Sequence, residues 1–404
     1  MTTLYKNGLV FNGSEFTPTD FLVDHGRFQA VGRNLDLADQ VVNLKGYYVT
    51  PGLVNAHTHM TLSSDPHYWD DKPKNTVTKT VLALHNLQEA LSVGVTYVRD
   101  VGSTANVDLN LMKLGLPNLP GIVGSGRALS MTGGHGANKD GHPEEGTLEC
   151  DGEAEVRKAA RAVLRAGARN VKLMATGGVA CPGETPFDVQ FSQQELRAAV
   201  EEAHHKGFST AAHAQGTTGI KNAVLAGIDS IEHAIYVDDE TLELMKAHGT
   251  FVVPTLVAPL AIYENPTELP EFMVNKAKLV AKDHLKSIRR VVEAGIPVAM
   301  GTDAGTPYNT FDHWVVNELK MYLTAGMSPV QVLNSATSVA AKLLRINDQI
   351  GQVANNFEAN FVVLKKNPLD DFASFEQAMA VFRKGKCVVN RLTKVGDENE
   401  WFNY

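Results

Sequence analysis

The sequence predicts an α/β fold with eight parallel strands, joined to a small β domain made from both ends of the chain. Two observations predict the parallel strands: short apolar, β-branched runs recur along the middle of the chain, and helical patterns fill most gaps between them. The third observation is that both chain ends contain short strand-like runs broken by turn residues. Neither end alone is long enough for a stable sheet, so we expect the two to pair.

The small β domain is predicted from seven runs at the chain ends. The N-terminal runs are 4–11, 21–24, 28–31 and 41–44, and the C-terminal runs are 360–364, 378–382 and 387–390. Turn residues such as Asn12-Gly13 separate these runs. We therefore expect residues 1–50 plus 351–404 to form one composite domain and residues 51–350 to form the larger domain.

The larger domain is predicted from alternating strand and helix patterns. The eight candidate strands are 52–58, 95–101, 121–128, 169–175, 208–214, 229–236, 251–257 and 296–302. Helical patterns include 192–206, with Ser192 and Glu195 at capping-box spacing, then about 272–294, and a helix from Ser328 through Ala341. Periodicity leaves open whether the parallel sheet is doubly wound or closed into a barrel.

Composition excludes several classes of protein. The 404 residues are 44% hydrophobic and 20% charged, with a formal net charge of -8 and no basic block, so we expect no nucleic-acid partner. No signal peptide or long apolar run is visible, so we expect no membrane span. The cysteines Cys150, Cys181 and Cys387 are few and widely spaced, which indicates a reduced, cytoplasmic protein without a disulfide framework.

Two histidines follow the first predicted strand of the larger domain. His57 and His59, in PGLVNAHTH, are two residues apart, so their side chains face the same side of a strand and can reach one ion. Asp303 follows the last apolar run, in GIPVAMGTDAG, at the strand end where parallel α/β sheets carry their chemistry. His213 and His233 each lie near the end of a successive strand. Taken singly, each of these residues also fits a turn or a hydrogen-bonded core position.

Lys172 is the most informative residue because it is flanked in the sequence by Val171, Leu173 and Met174. A charged ammonium would be costly to bury there, although a lysine at a strand end can also extend to water. On burial its pKa falls, so the neutral amine becomes available as a nucleophile or for modification. Reaction with carbon dioxide would give a carbamate that can bridge two metal ions.

The order HxH, Lys, His, His, Asp on strands one, four, five, six and eight closely resembles the amidohydrolase superfamily, in its two-metal branch with a carboxylated lysine. The resemblance covers nearly the whole chain and includes GYYVTPGLVNAHTH, SPVQVLNSATSVAAKLL and GQVANNFEANFVVLKKNPL. It implies a (β/α)₈ TIM barrel with a small composite β-sandwich domain. One departure is Asn360, where many relatives have Asp, but this position belongs to the small domain.

The resemblance also implies two divalent metal ions. His57, His59 and Asp303 would hold the more buried ion, His213 and His233 the other, and the carbamate of Lys172 would bridge them. Zinc suits such ligands, with manganese, cobalt or iron as alternatives. A bridging hydroxide would attack a polarised carbonyl, and Asp303 would take its proton and pass it to the departing amine.

Three stretches resemble a narrower group, the prolidase-like amidohydrolases, which cleave dipeptides and N-acyl amino acids before a residue such as proline, arginine or lysine. The stretches are SMTGGHG, VKLMATGGVACPGETP and EHAIYVDDETLELMKAHG. On the matching positions, His135 and Tyr236 would contact the substrate near the scissile carbonyl or the terminal carboxylate. A one-metal deaminase is disfavoured, since Gly216 stands where such enzymes keep a glutamate.

Other interpretations stay open. The same site would suit a lactonase, a cyclic-amide hydrolase or a detoxifying amidase, and a catalytically dead barrel that acts as a binding module is the remaining class. The loop residues His67, Tyr68, Trp69, His142 and Glu184 are further candidates for the pocket wall, whereas Cys181 is interpreted as a plain loop thiol. The resemblance further implies a small-molecule or dipeptide substrate and a homo-oligomer.

Overall fold

The computed structural model describes residues 1–35, 38–69, 75–137 and 146–392. The strands are β1 (Thr3–Phe11), β2 (Phe16–Asp24), β3 (Arg27–Gly32), β4 (Gln40–Asn43), β5 (Tyr48–Pro51), β6 (Leu53–Thr58), β7 (Val95–Asp100), β8 (Gly121–Gly124), β9 (Leu129–Ser130), β10 (Leu148–Glu149), β11 (Asn170–Met174), β12 (Ser209–Ala214), β13 (Ser230–His233), β14 (Phe251–Val253), β15 (Phe361–Leu364), β16 (Ala380–Arg383) and β17 (Lys386–Asn390). The α-helices are α1 (Thr76–Ser92), α2 (Val107–Leu114), α3 (Gly152–Ala166), α4 (Gln193–His204), α5 (Thr217–Ala226), α6 (Asp239–His248), α7 (Val257–Glu264), α8 (Glu271–Glu293), α9 (His313–Thr324), α10 (Pro329–Ser335) and α11 (Ser338–Leu343). Among these described ranges, no helix combines the length and the apolar character needed to cross a bilayer.

The two chain ends form one sheet. Its order is β17-β16-β15-β5-β1-β2-β3, with β4 on β1, and β5 joins the ends because it pairs parallel with β1 and antiparallel with β15. Phe361 and Phe28 lie on strands that are not neighbours, yet their ring centroids are 5.9 Å apart. The sheet therefore curls around an aromatic core, in which Tyr5 stacks on Phe21 at 4.9 Å.

Two groups of parallel strands surround the centre of the larger domain. One group has the order β6-β7-β8 and the other β10-β9-β11-β12-β13-β14, with helices following most strands. A bond from Arg169 N to Gly124 O, at 2.9 Å, connects the groups on one side. The predicted α/β fold with a barrel-like parallel sheet and an added β domain is thus confirmed.

The predicted eighth strand, 296–302, forms no regular strand. Its backbone still connects the two groups, because Val252 N donates to Pro297 O at 2.9 Å and Ala56 N donates to Met300 O at 2.7 Å. Pro297 has no N–H to offer a ladder. Gly301 lies so close to β6 that an added Cβ would come within 2.8 Å of His57 Cβ. This segment is shaped by close approach to the site rather than by regular pairing.

The prediction of one continuous helix from Ser328 through Ala341 is wrong. The helix starts as expected, with a capping box between Ser328 and Gln331, but it breaks into α10 and α11 around Thr337, whose φ of -133° is not helical. The break leaves the carbonyl of Ala336 free to accept a hydrogen bond from Val54 N of β6 at 2.7 Å. A tertiary hydrogen bond thus outweighs the local helical preference.

Asn360 belongs to a buried charged cluster beside the terminal sheet. Its Nδ2 donates to Glu358 Oε2 at 3.0 Å, and its Oδ1 accepts from Arg383 Nη1 at 3.1 Å and from the Lys384 backbone N at 2.8 Å. An aspartate here would place a second carboxylate against Glu358. The amide supplies a donor instead, which accounts for the departure from the resembled pattern.

Candidate active site

A cavity of about 430 Å³ lies at the carboxyl ends of the parallel strands. It is lined by seven of the eight residues that the sequence predicts for the site: His57, His59, His135, Lys172, His213, His233 and Asp303. The parallel register explains why they meet, since Met174 of β11 pairs with His213 and Ala214 of β12 pairs with His233. Residues at the ends of neighbouring parallel strands share one edge of the sheet.

The carboxylate of Asp303 lies between the two histidines of the HxH motif. Its Oδ1 is 3.2 Å from Nε2 of His57 and 3.2 Å from Nε2 of His59. Possible ligand atoms of His57, His233 and Asp303 all lie within 4.8 Å of one another. The buried Nε2 of His57 forms no hydrogen bond within the described chain. A buried nitrogen without a partner suits a metal ion, which accepts the nitrogen lone pair.

Each of the four strand-end histidines is oriented by a contact to one ring nitrogen. The partners are Glu232 Oε2 for His57 Nδ1 at 2.6 Å, Gly102 O for His59 Nδ1 at 3.2 Å, Gly177 O for His213 Nε2 at 3.2 Å and Thr255 Oγ1 for His233 Nδ1 at 2.6 Å. A ring that donates from one nitrogen keeps a lone pair on the other. This is the arrangement that metal-binding histidines use.

The lowered pKa values of His59, His213 and His233 also favour metal binding. Burial, and then the nearby groups His135, His233 and Lys172, lowers the pKa of His213 well below the usual value. Burial holds the pKa of His233 well below that value too, although attraction to Asp303 opposes the shift. Burial also lowers the pKa of His59, although the contact with Asp303 opposes this shift. The neutral imidazole is the form that donates a lone pair to a cation.

Asp303 is ionised in this setting. Burial alone would raise its pKa, but the charge of His57 and the close contacts with His57 and His59 outweigh that effect and hold the pKa well below the usual range. Its backbone has a φ of 60° and that of His233 has a φ of 74°. Left-handed backbone at non-glycine residues is uncommon and concentrates at functional sites.

Lys172 is buried, with 1% of its surface exposed, and its ammonium has no hydrogen-bond partner within the described chain. Burial lowers its pKa to about 8, while attraction to Glu232 and Asp303 opposes the shift. A fraction of the side chain is therefore a neutral amine near neutral pH. The structure places this amine on the same cavity as the histidines and Asp303.

A buried ion pair beneath the site was not predicted from the sequence. Glu232 Oε1 accepts from Arg99 Nη2 at 2.8 Å and from Ser230 Oγ at 2.5 Å, while Oε2 accepts from His57. Burial opposes ionisation of Glu232, but Arg99 and His57 outweigh it and hold its pKa far below the usual range. The sequence does contain a signal for this ion pair, because Arg99 and Glu232 interrupt apolar strands in the same way as Lys172.

His135 lies against the candidate metal ligands. Its ring stacks on that of His213, with centroids 4.2 Å apart, and its Nδ1 is hydrogen-bonded to Glu184. Burial would lower the pKa of His135, but Cys181 and Glu184 raise it to about 9. An added Cβ on Gly178 would come within 2.7 Å of His135 and 2.9 Å of His213, so the GG motif permits this close packing.

The remaining predicted residues fall outside the cavity lining. Tyr236 is absent from the cavity wall among the described residues, and its ring packs against Phe187 at 4.7 Å. His67 is exposed. The side chains of Tyr68 and Trp69, and all of His142, lie outside the described part of the chain.

Residues 48–388 match the amidohydrolase family. The chain is 32% identical over 359 residues to ochratoxinase of Aspergillus niger, covering 82% of this chain and 73% of that protein. It is also similar to a crystal structure of a Xaa-Pro dipeptidase with methionine in its active site, with a TM-score of 0.87, 28% identity and coverage of 96% and 99%. A prolidase complexed with N-methylphosphonate-L-proline gives a TM-score of 0.89, 29% identity and coverage of 97% and 100%. The family match spans most of the chain and includes every candidate ligand, and so the protein belongs to the amidohydrolase family.

Proposed function

We propose that this protein is a two-metal hydrolase that cleaves the amide bond of dipeptides or N-acyl amino acids. The observation that supports this most is the convergence of His57, His59, Lys172, His213, His233 and Asp303 on one cavity. Four imidazoles, an ionised carboxylate and a partly neutral amine form a donor set that fits divalent ions. Loss of these residues would have favoured a non-catalytic barrel, and their retention argues against it.

The ligands divide into two groups in this proposal. His57, His59 and Asp303 would hold one ion, His213 and His233 would hold the other, and the carbamate of Lys172 would be a ligand to both. The carbamate forms when the neutral amine of Lys172 attacks carbon dioxide, creating an N–C bond and releasing a proton to solvent. Zinc is the proposed metal. When bound, such ions lower the pKa of water and polarise a carbonyl oxygen.

Asp303 is the proposed proton carrier. Its carboxylate is ionised and lies in the cavity, so it can accept a proton from the attacking water. It then donates this proton to the departing amine nitrogen, because an amine leaves readily only when protonated. His135 also faces the cavity and is proposed to donate a hydrogen bond to the substrate near the scissile carbonyl.

The cavity wall favours apolar substrates over cationic ones. Its apolar residues include Val179, Ile235, Pro259, Ile262 and Met273. Asp303 is the sole carboxylate on the wall among the described residues, and the proposed chemistry already uses it. Among the described residues a C-terminal arginine or lysine would find no other carboxylate on the wall, so we propose proline or another apolar residue at that position. This assignment narrows the range of C-terminal residues that the resemblance implied.

Among the described residues, Lys79 is a candidate partner for the negative carboxylate of such a substrate. Lys79 is buried, lines the cavity and donates from its Nζ to Thr104 Oγ1 at 3.2 Å. It supplies positive charge on the wall, whereas Tyr236, the partner implied by the resemblance, is not among the described residues that line the cavity. Comparing each N-acyl amino acid with its C-terminal amide tests this assignment, since loss of the charged carboxylate should raise KM.

The alternative function uses the same site to hydrolyse a different kind of bond. The similarity to ochratoxinase supports a detoxifying amidase, and a lactone or cyclic amide would need only a different cavity shape. The products separate these alternatives, because opening a ring leaves one product whereas cleaving a dipeptide releases two.

The deciding experiment measures free amino acids released from pooled dipeptides and N-acyl amino acids, using zinc-loaded protein with and without a chelator. We expect chelator-sensitive release of apolar C-terminal residues. Release confined to arginine or lysine would refute the apolar assignment. No release from protein that holds two ions per chain would refute the peptidase assignment and favour ring substrates.

The location and the assembly of the protein also remain proposals. We propose a cytoplasmic homo-oligomer, since the three cysteines are free in the structure and exposed Val77 and Val81 lie one turn apart on α1. Light scattering at several concentrations tests the assembly. A monomer at every concentration would refute it.

A further inference from the structure

We propose that His135, Cys181 and Glu184 form a third cation site, separate from the two proposed catalytic ions, that binds a thiophilic divalent ion such as Zn²⁺ or Cd²⁺. Possible ligand atoms of these three residues all lie within 4.8 Å of one another. An imidazole nitrogen, a thiolate and a carboxylate together form a donor set typical of zinc. None of the three belongs to the catalytic ligand set proposed above.

The site is already built in the structure. Glu184 Oε1 accepts from Gly178 N at 3.0 Å, and Glu184 Oε2 accepts from Gln190 Nε2 at 2.9 Å. Gln190 Oε1 in turn accepts from the backbone N of His135 at 2.8 Å. One glutamine thus holds both the carboxylate and the loop that carries His135. Preorganised ligands lose little conformational entropy when a cation binds.

The third ligand is held by a separate contact. Lys276 Nζ donates to the carbonyl of Cys181 at 2.6 Å and to that of Gly178 at 3.1 Å. The Cys181 thiol accepts a hydrogen bond from Gly136 N at 3.4 Å. The sulfur therefore faces the loop that carries His135, and Cys181 is one of the residues that line the cavity.

The charges balance when an ion binds. His135 releases one ring proton to solvent and binds as a neutral imidazole. The thiol of Cys181 likewise releases its proton and becomes a thiolate, and Glu184 contributes a second negative charge. Together they neutralise a divalent ion in a site where the side chains of His135 and Glu184 are only 13% and 10% exposed. Ligand atoms up to 4.8 Å apart must close by about 1 Å to surround zinc, which side-chain rotation can supply.

Occupation of this site should inhibit the enzyme. The ion would hold His135, whose ring already stacks on His213, away from the substrate carbonyl, and it would narrow the cavity beside Cys181. The inhibition rests on the proposed function, whereas binding of the third ion does not.

The binding test uses the full protein already loaded with its zinc ions and titrates it with Cd²⁺. Two quantities are followed: the ultraviolet charge-transfer band of a cadmium thiolate, and the number of cadmium and zinc ions per chain by mass spectrometry. We expect one cadmium per chain, full retention of zinc and the charge-transfer band. Cys181→Ser should lose the band and weaken cadmium binding at least about tenfold, since a hydroxyl is a poor ligand for a soft ion.

Cys150→Ser and Cys387→Ser are the matched controls, because these cysteines lie outside the cluster and should keep the band. Glu184→Gln should weaken cadmium binding but retain the band, which tests the site without removing the thiol. A band that persists in Cys181→Ser, or wild-type protein that binds no cadmium beyond replacement of zinc, would overturn the third site.

The activity test compares inhibition of wild type and Cys181→Ser by Cd²⁺. We expect the variant to need at least about tenfold more cadmium for half-inhibition. Equal inhibition of both proteins would overturn the regulatory role while leaving the binding result in place. If none of the amides is hydrolysed, the proposed function fails, but the cadmium titration still reports on the site.

Discussion

Two regions of this molecule bury charged groups, and they differ in how completely those groups are paired. At the carboxyl ends of the strands, Lys172 has no hydrogen-bond partner within the described chain, and neither does the Nε2 of His57. Beside the terminal sheet, Glu358 accepts from Tyr97, Asn360 and Arg383 at 3.0, 3.0 and 2.9 Å. The first region thus keeps unpartnered polar groups beside its paired ones, whereas the carboxylate of Glu358 in the second region is paired on both oxygens.

The difference teaches how to separate a binding site from a structural cluster. An unpartnered buried polar group costs stability, so it persists where a ligand completes it. A paired cluster such as that of Glu358 needs no ligand, and its role is to stabilise the packing and register of the strands around it. The predictions below test whether the two regions differ in this way.

The largest effect is expected for Asp303→Asn. The amide keeps the shape but cannot accept and return a proton, so kcat should fall by about 10²–10⁴-fold. Steady-state hydrolysis measured beside metal content checks this. An unchanged kcat with both ions bound would remove Asp303 from the proposed proton transfer.

The next effect concerns Lys172→Ala, which should lose most of the bound metal because no carbamate can form. Mass spectrometry of the metal content measures the loss, and circular dichroism controls for folding. Lys172→Arg is the matched variant, since its guanidinium keeps a positive charge but does not react with carbon dioxide. Full metal content and normal activity in either variant would contradict the bridging role.

Glu232→Gln should affect stability and metal binding together. Removing one partner of a buried ion pair typically costs about 3–5 kcal/mol, and Glu232 is fully buried against Arg99. The amide keeps one acceptor oxygen for the three donors His57, Arg99 and Ser230, so the bond that orients His57 should weaken and metal binding should weaken about 10–100-fold. Denaturant unfolding and metal titration measure the two effects.

Glu358→Gln is the control for that comparison. It removes a buried carboxylate of the terminal cluster, so it should lower the free energy of unfolding without changing the metal content. If it also released metal, the proposed separation between the two regions would be wrong.

The smallest effect is expected for Asn360→Asp. The new carboxylate would lie against Glu358, and Arg383 would offset only part of the repulsion, so we expect a loss of about 1 kcal/mol. Thermal unfolding checks the change, and activity should remain normal. A gain in stability would show that the nearby cations more than compensate.

The fold was predictable because it rests on local patterns. Apolar β-branched runs and amphipathic helices recur along the chain, and the capping box of Ser192 and Glu195 occurs as predicted. The predictions were wrong where a tertiary contact outweighed the local preference. The helix breaks at Thr337 so that Ala336 can bond to β6, and the eighth strand is irregular where Gly301 meets His57.

The sequence by itself determined the family and the candidate ligands, since residue type and strand order carry that chemistry. Only the tertiary structure decided which side chains share a cavity, because this depends on the register of strands far apart in the chain. It placed His135 on the cavity wall, left Tyr236 off that wall and brought Arg99 to Glu232. It also joined Cys181, which looks like a plain loop thiol in the sequence, to His135 and Glu184. Spacing along a chain limits which residues can meet, but packing decides which of them do.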